Sequence, residues 1–467
     1  MYVCGVTAYD HAHIGHARAA VVFDVIYRYL KYRGYEVRYV RNFTDVDDKI
    51  INRALKEGVS WKEIAERYIS DYTDDMHALG VASPTHEPLA TDHIVDMIEI
   101  IKTLINRGYA YELDGDVYFK VQHFAEYGKL SKKNIDDQLA GARIEPDERK
   151  QDPRDFALWK RSKPHEPSWP SPWGQGRPGW HIECSAMSQK YLGETIDIHG
   201  GGRDLIFPHH ENEIAQAEAA TGKPFVRHWI HNGFVNINQE KMSKSLGNIF
   251  TIKDVLKQYQ PEVVRLFLLS HHYRSPVDFS PENMRDAESG LDRIYAAMAE
   301  IDSLVPDNAY PRVREELLNE AERSLYYDVK GLSEKFEEAM DDDFNTALAI
   351  GHVFQTVRAI NKYLNEPTVI ASSQRGALVF YAKAVLSHLG AVLGIFCLAP
   401  AGYVQEAKNR RLSALDITVE EIERLVRERN EARISKDWKR ADQIRDMLLK
   451  KKIILEDGKE QTTWTVK

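Results

Sequence analysis

The apolar side chains at the start of the chain form three successive patterns. A short continuous run comes first, then a helical spacing, and then an alternation with period two. Residues 1–6 are mostly apolar, residues 13–34 repeat apolar positions at helical spacing and end in Gly34, and residues 35–43 alternate apolar with polar side chains. The pattern predicts a strand, a helix and a second strand. Because a helix between two strands forms the right-handed crossover of a parallel sheet, we expect an α/β fold.

A different pattern interrupts this alternation further along the chain. Alternating runs flank Asp114 and Gly115, which is the signature of a β-hairpin. A hairpin among helices predicts an inserted α+β domain from Pro84 to Arg161. The next residues, 162–180, contain five prolines and three tryptophans, a composition that indicates a loop folding over another part of the molecule.

Strand character returns at 194–207, and the helical pattern that follows ends at Gly222. From Pro261 onward the pattern is almost wholly helical. We therefore expect a doubly wound parallel sheet interrupted by the insertion and followed by a helical bundle and a small C-terminal domain. The predicted domains are 1–83 and 162–260 for the two halves of the sheet domain, 84–161 for the insertion, 261–324 for a helical junction, 325–405 for the helical bundle and 406–467 for the C-terminal domain.

Composition narrows the class of protein. The chain has 467 residues, three cysteines and a formal net charge of -9 at pH 7. So few cysteines argue against a disulfide framework, and the acidic balance excludes a globally basic nucleic-acid binder. No apolar run approaches the length of a membrane-spanning helix, and the first residues lack the pattern of a secretory signal. We expect a cytoplasmic protein that does not bind membranes.

Three histidines stand at the entrance of the first predicted helix: His11, His13 and His16. A helix N-terminus presents unpaired N–H groups that attract phosphate, and histidines there add donors. Gly15 removes a side chain that would block close approach. The stretch is therefore a candidate nucleotide site, although histidines at this position also serve as ordinary caps.

Two lysines, Lys241 and Lys244, flank Ser243 in a segment after a predicted strand. Flexible ammonium groups can neutralise charge that develops at the α-phosphorus of a nucleoside triphosphate. Taken alone, such a pair is typical of a solvated surface.

The pair HIGH at 13–16 and KMSKS at 241–245 resembles the two signatures of class I aminoacyl-tRNA synthetases. The likeness to the cysteinyl-tRNA synthetase family is closer still and extends to the end of the chain. It lies in these stretches: MYVCGVTAYD, RNFTDVDDKI, DPRDFALWK, GRPGWHIECSAMS, DIHGGGRDLIFPHHENEIAQ and EKMSKSLGN.

This resemblance implies a Rossmann-like catalytic domain with an inserted connective domain. It further implies that ATP, with Mg²⁺, binds at His13, Gly15, His16, Lys241, Ser243 and Lys244. Of these, His13, His16, Lys241 and Lys244 would be catalytic.

The sequence also holds a candidate zinc set. Cys4, Cys184 and Glu213 supply two thiolates and a carboxylate, and either His209 or His210 shares a helix face with Glu213. The family pattern selects Cys4, Cys184, His209 and Glu213, with one Zn²⁺ per chain. Without the resemblance, buried cysteines acting as small apolar residues would be the better interpretation.

Four further residues resemble those that line the family's cysteine pocket: Thr44, Trp180, His199 and Asp204. Each also has an ordinary structural interpretation. Thr44, or its neighbour Asp45, would equally serve as the N-cap of a helix predicted over 44–58.

The C-terminal segment resembles the family's anticodon-recognising domain. Its candidate RNA contacts are basic residues for phosphates and tryptophans for stacking on a base, namely Arg429, Arg433, Lys436, Lys439, Arg440, Trp438 and Trp464. The carboxylates between them are equally typical of a solvated helix.

Together these features predict a monomeric ligase that forms cysteinyl-adenylate from L-cysteine and ATP and transfers cysteine to tRNA(Cys). There are two alternatives, of which the first shares the catalytic half with this ligase and the second shares only its shape. One is the ligase that joins cysteine to glucosaminyl-inositol in mycothiol synthesis, and the other is a noncatalytic tRNA-binding relative. The long C-terminal region argues against the first, and the two intact signatures argue against the second.

Overall fold

The computed structural model describes residues 1–132, 149–238, 240–241, 249–305, 312–366, 373–413, 415–458 and 462–466. Ser243 and Lys244 lie outside these residues. The described chain divides into two compact units. The first comprises Met1–Glu288, Glu334–His352 and Leu389–Ile395, and the second comprises Ser289–Ser333, Val353–His388 and Phe396–Lys467.

A four-stranded sheet lies at the centre of the first unit. Its strands are β1 (Tyr2–Val3), β2 (Val40–Arg41), β8 (Ile196–Gly202) and β9 (Val226–Asn232). Their order is β2-β1-β8-β9, and all neighbouring strands are parallel. The predicted doubly wound parallel sheet is confirmed, but β2 is much shorter than the alternating run 35–43.

The first helix, Ile14–Tyr32, connects β1 to β2 and buries one face against the sheet. It ends at Arg33, and Gly34 follows with φ 86°, the left-handed conformation in which a glycine stop is favoured. The other helices of this part are Asp48–Glu57, Trp61–Ala78, Ile94–Asn106, Trp180–Leu192 and Glu211–Thr221.

The predicted N-cap of the second helix was wrong. The cap is Asp47, whose side chain accepts a hydrogen bond from Lys49 N at 2.8 Å. Thr44 instead donates to Glu183, and Asp45 accepts from Thr91. Both side chains are drawn away from the helix by partners that are distant in sequence, which a local pattern cannot reveal.

The insertion is built on a five-stranded antiparallel sheet in the order β3-β4-β5-β7-β6. The predicted hairpin is confirmed, because β3 (Ala110–Leu113) and β4 (Asp116–Phe119) flank a turn in which Asp114 and Gly115 have φ 53° and 90°. β5 is Phe156–Arg161.

The prediction of a covering loop over 162–180 was wrong. β6 (Trp169–Ser171) and β7 (Gly174–Pro178) lie within this stretch and extend the inserted sheet beyond Arg161. Proline is tolerated because β6 is an edge strand and Pro178 ends β7.

A small sheet follows, with β10 (Val235–Ile237) between β11 (Glu240–Lys241) and β12 (Val277–Phe279). Later helices span Ile252–Gln258, Pro261–Leu269, Pro281–Leu304, Glu320–Lys330, Leu332–Asp341, Thr346–Leu364, Arg375–Leu393, Pro400–Ser413, Val419–Ile434 and Trp438–Lys450. An antiparallel pair, β13 (Ile453–Asp457) and β14 (Thr462–Val466), ends the described chain.

One helix qualifies the expectation about apolar runs. Arg375–Leu393 has 19 residues and a mean hydropathy of 1.5, enough by length and composition to cross a membrane, although half of that window is buried. Buried helices in protein cores have the same composition, and Leu378, Val379 and Leu386 are fully buried here.

Candidate functional site

The candidate site lies where the strand order of the parallel sheet reverses. Cys4 directly follows β1, and the neighbouring strand β8 carries His199. In an open α/β sheet, such a switch point at the carboxyl ends of the strands is the usual place for a ligand. The helices Trp180–Leu192 and Glu211–Thr221 bring further polar side chains to the same place.

The structure brings together all four members of the predicted zinc set. One donor atom from each of Cys4, Cys184, His209 and Glu213 lies within 4.8 Å of the others. Cys4 Sγ is 3.6 Å from Cys184 Sγ and 3.3 Å from Glu213 Oε1. His209 Nε2 is 3.1 Å from the same carboxylate oxygen. A tetrahedron with zinc–ligand bonds of normal length has edges of about 3.3–3.8 Å, so the donor types and spacings fit zinc.

A second donor set overlaps the first. Cys4, His199, His210 and Glu213 also present donor atoms within 4.8 Å of one another. His210 Nε2 lies 3.4 Å from Cys4 Sγ, and His199 Nε2 lies 2.7 Å from Glu213 Oε2. The first set has two sulfur donors and the second has one, so a thiophilic metal favours the first.

Burial controls the protonation of these groups. It lowers the pKa of His209 to about 3 and that of His210 well below its ordinary value, which keeps both imidazoles neutral. Burial, reinforced by the other thiol, raises the pKa of Cys4, and burial also raises the pKa of Cys184. Burial alone would raise the pKa of Glu213, but His199 and His209 lower it. The site therefore offers neutral imidazoles, a carboxylate and two thiols that a bound cation would deprotonate.

The sequence analysis missed the residues that support this cluster. His181 Nδ1 is 2.8 Å from His209 Nδ1, and His231 Nε2 is 2.8 Å from His210 Nδ1. These contacts leave Nε2 of each central histidine directed to the cluster. Trp229 stacks on His199 with ring centroids 4.6 Å apart. The alternation of Trp229 and His231 on β9 was a signal in the sequence, because residues two apart share one face of a strand.

The four predicted pocket residues have different environments. Thr44 Oγ1 donates to Glu183 Oε2 at 2.6 Å, and both side chains are buried. Trp180 is 39% exposed and stacks on His209 at 4.2 Å between ring centroids. His199 is fully buried in the cluster, and within the described chain its Nδ1 has no hydrogen-bond partner. Asp204 is exposed in the turn Arg203–Leu205.

The histidines at the first helix form a reciprocal cap. His13 Nδ1 accepts from Gly15 N at 3.2 Å, and His16 Nδ1 accepts from His13 N at 3.2 Å. The two rings stack with centroids 3.8 Å apart. Since both Nδ1 atoms accept, the proton of each neutral ring is on Nε2. The capping interpretation is therefore observed, and Nε2 is the nitrogen of each ring that carries the donor N–H.

The residues that follow the KMSKS segment return to this entrance. Ile14 N donates to Phe250 O at 3.1 Å, and Ile252 N donates to Ala12 O at 3.0 Å. These two bonds flank an antiparallel bridge between His13 and Thr251. On the other side of the segment, Lys241 pairs with Asn236 in the small sheet.

The C-terminal candidates are not equivalent. Arg429 is buried and binds both oxygens of Asp457 at 2.7 and 2.8 Å, so its guanidinium faces inward. Lys408 lies 3.5 Å from the ring centroid of the half-buried Trp464. Trp438, in contrast, is 59% exposed.

A solved structure identifies the class of fold. Methionyl-tRNA synthetase of Mycobacterium tuberculosis in complex with methionyl-adenylate matches with a TM-score of 0.64 and 19% identity, covering 87% of this chain and 93% of that one. The parallel sheet, the helical domains and this match define a class I aminoacyl-tRNA synthetase fold.

Sequence comparisons identify the family. Residues 1–289 match the tRNA synthetases class I (C) catalytic domain, 335–397 the DALR domain and 411–464 the cysteinyl-tRNA ligase anticodon binding domain. Cysteine–tRNA ligases of Geobacter metallireducens and Geobacter sulfurreducens are each 60% identical over all of this chain and 95% of their own length. That of Thermodesulfovibrio yellowstonii is 55% identical with the same coverage. The chain belongs to the cysteine–tRNA ligase family.

Proposed function

We propose that the chain activates L-cysteine with ATP, forming cysteinyl-adenylate and pyrophosphate, and then transfers cysteine to the 3′-terminal adenosine of tRNA(Cys). The observation that carries this proposal is the buried donor cluster around Cys4 at the switch point of a class I synthetase fold. The full-length similarity to cysteine–tRNA ligases supports it.

Selection of cysteine is assigned to the donor cluster. Cys4, Cys184, His209 and Glu213 would hold one Zn²⁺, which would supply affinity for the substrate thiol over the hydroxyl of serine. A pocket that relies on shape distinguishes such similar side chains by only about 1–3 kcal/mol. Trp180, stacked on His209, would cover one side of the cluster. His199, held by Glu213 and Trp229, would present its buried Nδ1 to the substrate.

Two other predicted pocket residues, Thr44 and Asp204, would contact the substrate in different ways. The hydroxyl of Thr44 donates to Glu183, so it would accept from the substrate through its oxygen lone pairs. The exposed carboxylate of Asp204 is suited to the ammonium group of an amino acid.

Activation of the triphosphate is assigned to the helix entrance and the lysine segment. His13 and His16 would donate from Nε2 to phosphate oxygens, next to the helix N-terminus. Gly15 would allow close approach of ATP. Lys241 and Lys244, with Ser243 between them, would neutralise the charge that develops at the α-phosphorus, together with the Mg²⁺ of ATP. The return of residues 250–252 to the entrance supports this arrangement, because it ties the chain five to seven positions after KMSKS to residues 12–14.

Recognition of tRNA is assigned to the C-terminal region, with Trp438 as the candidate stacking residue. We further propose a cytoplasmic monomer. The alternative ligase of mycothiol synthesis is not favoured, because residues 411–464 match an anticodon binding domain.

The direct test is cysteine-dependent exchange of labelled pyrophosphate into ATP, followed by charging of tRNA(Cys). We expect both activities with cysteine, and at least about 1000-fold weaker exchange with serine, which corresponds to about 4 kcal/mol of discrimination. Metal-replete protein that supports no exchange would exclude an amino acid-activating enzyme. Exchange without charging of tRNA would instead favour the alternative ligase.

A further inference from the structure

His11 is the one histidine of the helix entrance that the proposed chemistry does not use. Its Nδ1 lies 2.7 Å from Asp71 Oδ2, on the helix Trp61–Ala78. The other oxygen of Asp71 accepts from Lys253 Nζ at 2.8 Å. Asp71 therefore joins His11, two positions before His13, to Lys253, eight positions after the KMSKS segment at 241–245.

The position of Lys253 is unfavourable without this partner. It lies in the first turn of the helix Ile252–Gln258, where the helix dipole disfavours a cation. The hydrogen bond to Asp71 raises the pKa of Lys253 and therefore keeps it charged. Burial alone would raise the pKa of Asp71, but Lys253 and His11 lower it, so the carboxylate remains ionised between them.

These side chains lie at one end of the backbone junction between the two signatures. In the antiparallel register that pairs His13 with Thr251, residues 11 and 253 are opposite each other, next to the bond from Ile252 N to Ala12 O. Between described residues, two main-chain bonds hold this short junction, so a shared carboxylate at its edge restricts how far the two segments can slide. All three side chains are partly exposed, with relative areas of 47% for His11, 23% for Asp71 and 43% for Lys253, so their contribution to global stability is small.

We propose that Asp71 is a positioning residue that clamps His11 and Lys253, and so holds the exit of the KMSKS segment in register with His13 and His16 during cysteine activation. This inference rests on the proposed function, because it assigns Asp71 a part in the same reaction. Asp71 acts through the two segments that it joins and does not contact the substrate.

The test uses Asp71→Asn and Lys253→Met in the full chain, with Lys257→Met as the matched control. Lys257 lies on the same helix and pairs with Asp254 Oδ1 instead of Asp71. We expect each clamp variant to lower kcat of pyrophosphate exchange by about 5- to 30-fold, with KM for cysteine unchanged and Tm within about 2 °C of the parent, since exposed ion pairs contribute little stability. Lys253→Arg should restore the rate. The double variant should be no slower than the slower single variant, because both changes break one clamp.

Hydrogen exchange provides a readout that does not depend on activity. The amides of Ile14 and Ile252 should lose protection in Asp71→Asn and not in Lys257→Met. Unchanged kcat and unchanged protection in both clamp variants would overturn the proposal, as would additive losses in the double variant. A parent protein without exchange activity would refute the proposed function, whereas protection lost in Asp71→Asn would still establish the clamp.

Discussion

The adjacent residues His209 and His210 both direct a ring nitrogen to the same donor cluster. His209 Nε2 lies 3.1 Å from Glu213 Oε1, and His210 Nε2 lies 3.4 Å from Cys4 Sγ. The distances allow either donor set to bind a metal ion. The choice between the two sets therefore depends on the softness of their donor atoms.

Metal analysis of single variants distinguishes the two sets. We expect one zinc per chain in the parent, and loss of most of it in Cys184→Ser and His209→Asn, because each removes a ligand of the sulfur-rich set. His210→Asn should retain it, and so should Cys397→Ser, since Cys397 is exposed and outside both sets. Zinc retained in Cys184→Ser and lost in His210→Asn would assign the metal to the other set.

Asp75 is expected to make the stability of the folded protein depend on pH. Its side chain is buried, and within the described residues its Oδ2 has no hydrogen-bond partner. Burial raises its pKa from 3.8 to about 6. The folded state therefore binds this proton more tightly than the unfolded state. The ionised carboxylate destabilises the protein progressively as the pH rises from about 4 to 6, and fully above that.

We expect Asp75→Asn to raise the free energy of unfolding by about 1–2 kcal/mol at pH 7.5, a value reduced from the full shift to allow for solvent screening. The gain should disappear near pH 4, and denaturant unfolding at the two pH values measures it. Glu66→Gln, an exposed change nine positions earlier on the same helix, should leave the profile unchanged. An equal gain at both pH values would show that ionisation of Asp75 is not the cause.

At the scale of elements, the close approach of β1 and the chain after β2 positions the donor cluster. Gly5 N donates to Asn42 Oδ1 at 2.9 Å, and a Cβ on Gly5 would lie 1.5 Å from Asn42 O. A Cβ there must displace the backbone at Gly5, which directly follows Cys4, or at Asn42, whose side chain lies 3.7 Å from Cys184 Sγ. The absence of a side chain at residue 5 thus allows the strand to deliver its thiol to the switch point.

We therefore expect Gly5→Ala to lose its zinc although no ligand is changed. The free energy of unfolding should fall by at least about 2 kcal/mol, because packed backbone is displaced. Metal content and denaturant unfolding measure the two effects. Gly351→Ala is the control, since nothing lies within 4 Å of a Cβ there. In a helix interior that change should stabilise the protein by about 0.5–1 kcal/mol. Full zinc content in Gly5→Ala would contradict the assigned role of the close approach.

Across the full chain, activation of cysteine and recognition of tRNA are assigned to different regions. We expect Trp438→Ala to lower kcat/KM for tRNA(Cys) by about 10-fold or more, because stacking on one base contributes about 1–3 kcal/mol. Pyrophosphate exchange should stay at the parent rate. Leu449→Ala, an exposed apolar change on the same helix, should affect neither activity. Equal charging by both variants would remove Trp438 from the RNA contacts.

Whether a feature could be predicted from the sequence depends on how far apart in the chain the interacting residues are. The hairpin turn at Asp114 and Gly115 and the helix stop at Gly222 were predictable, because local backbone preferences decide such features. The N-cap Asp47, the strands β6 and β7 and the contact of Asp71 with Lys253 were not. Each depends on a partner or a sheet position that only the folded chain provides.

The alternation of strands and helices, the parallel sheet and the resemblance that identified the family could all be read from the sequence, because period, turn chemistry and signature motifs lie in contiguous residues. Which side chains share a site depends on the folded chain. Cys4 meets Cys184 across 180 positions, and His181 and His231 stand behind the two central histidines. Such contacts are selected by the packing of the whole sheet, because no local preference links residues so far apart.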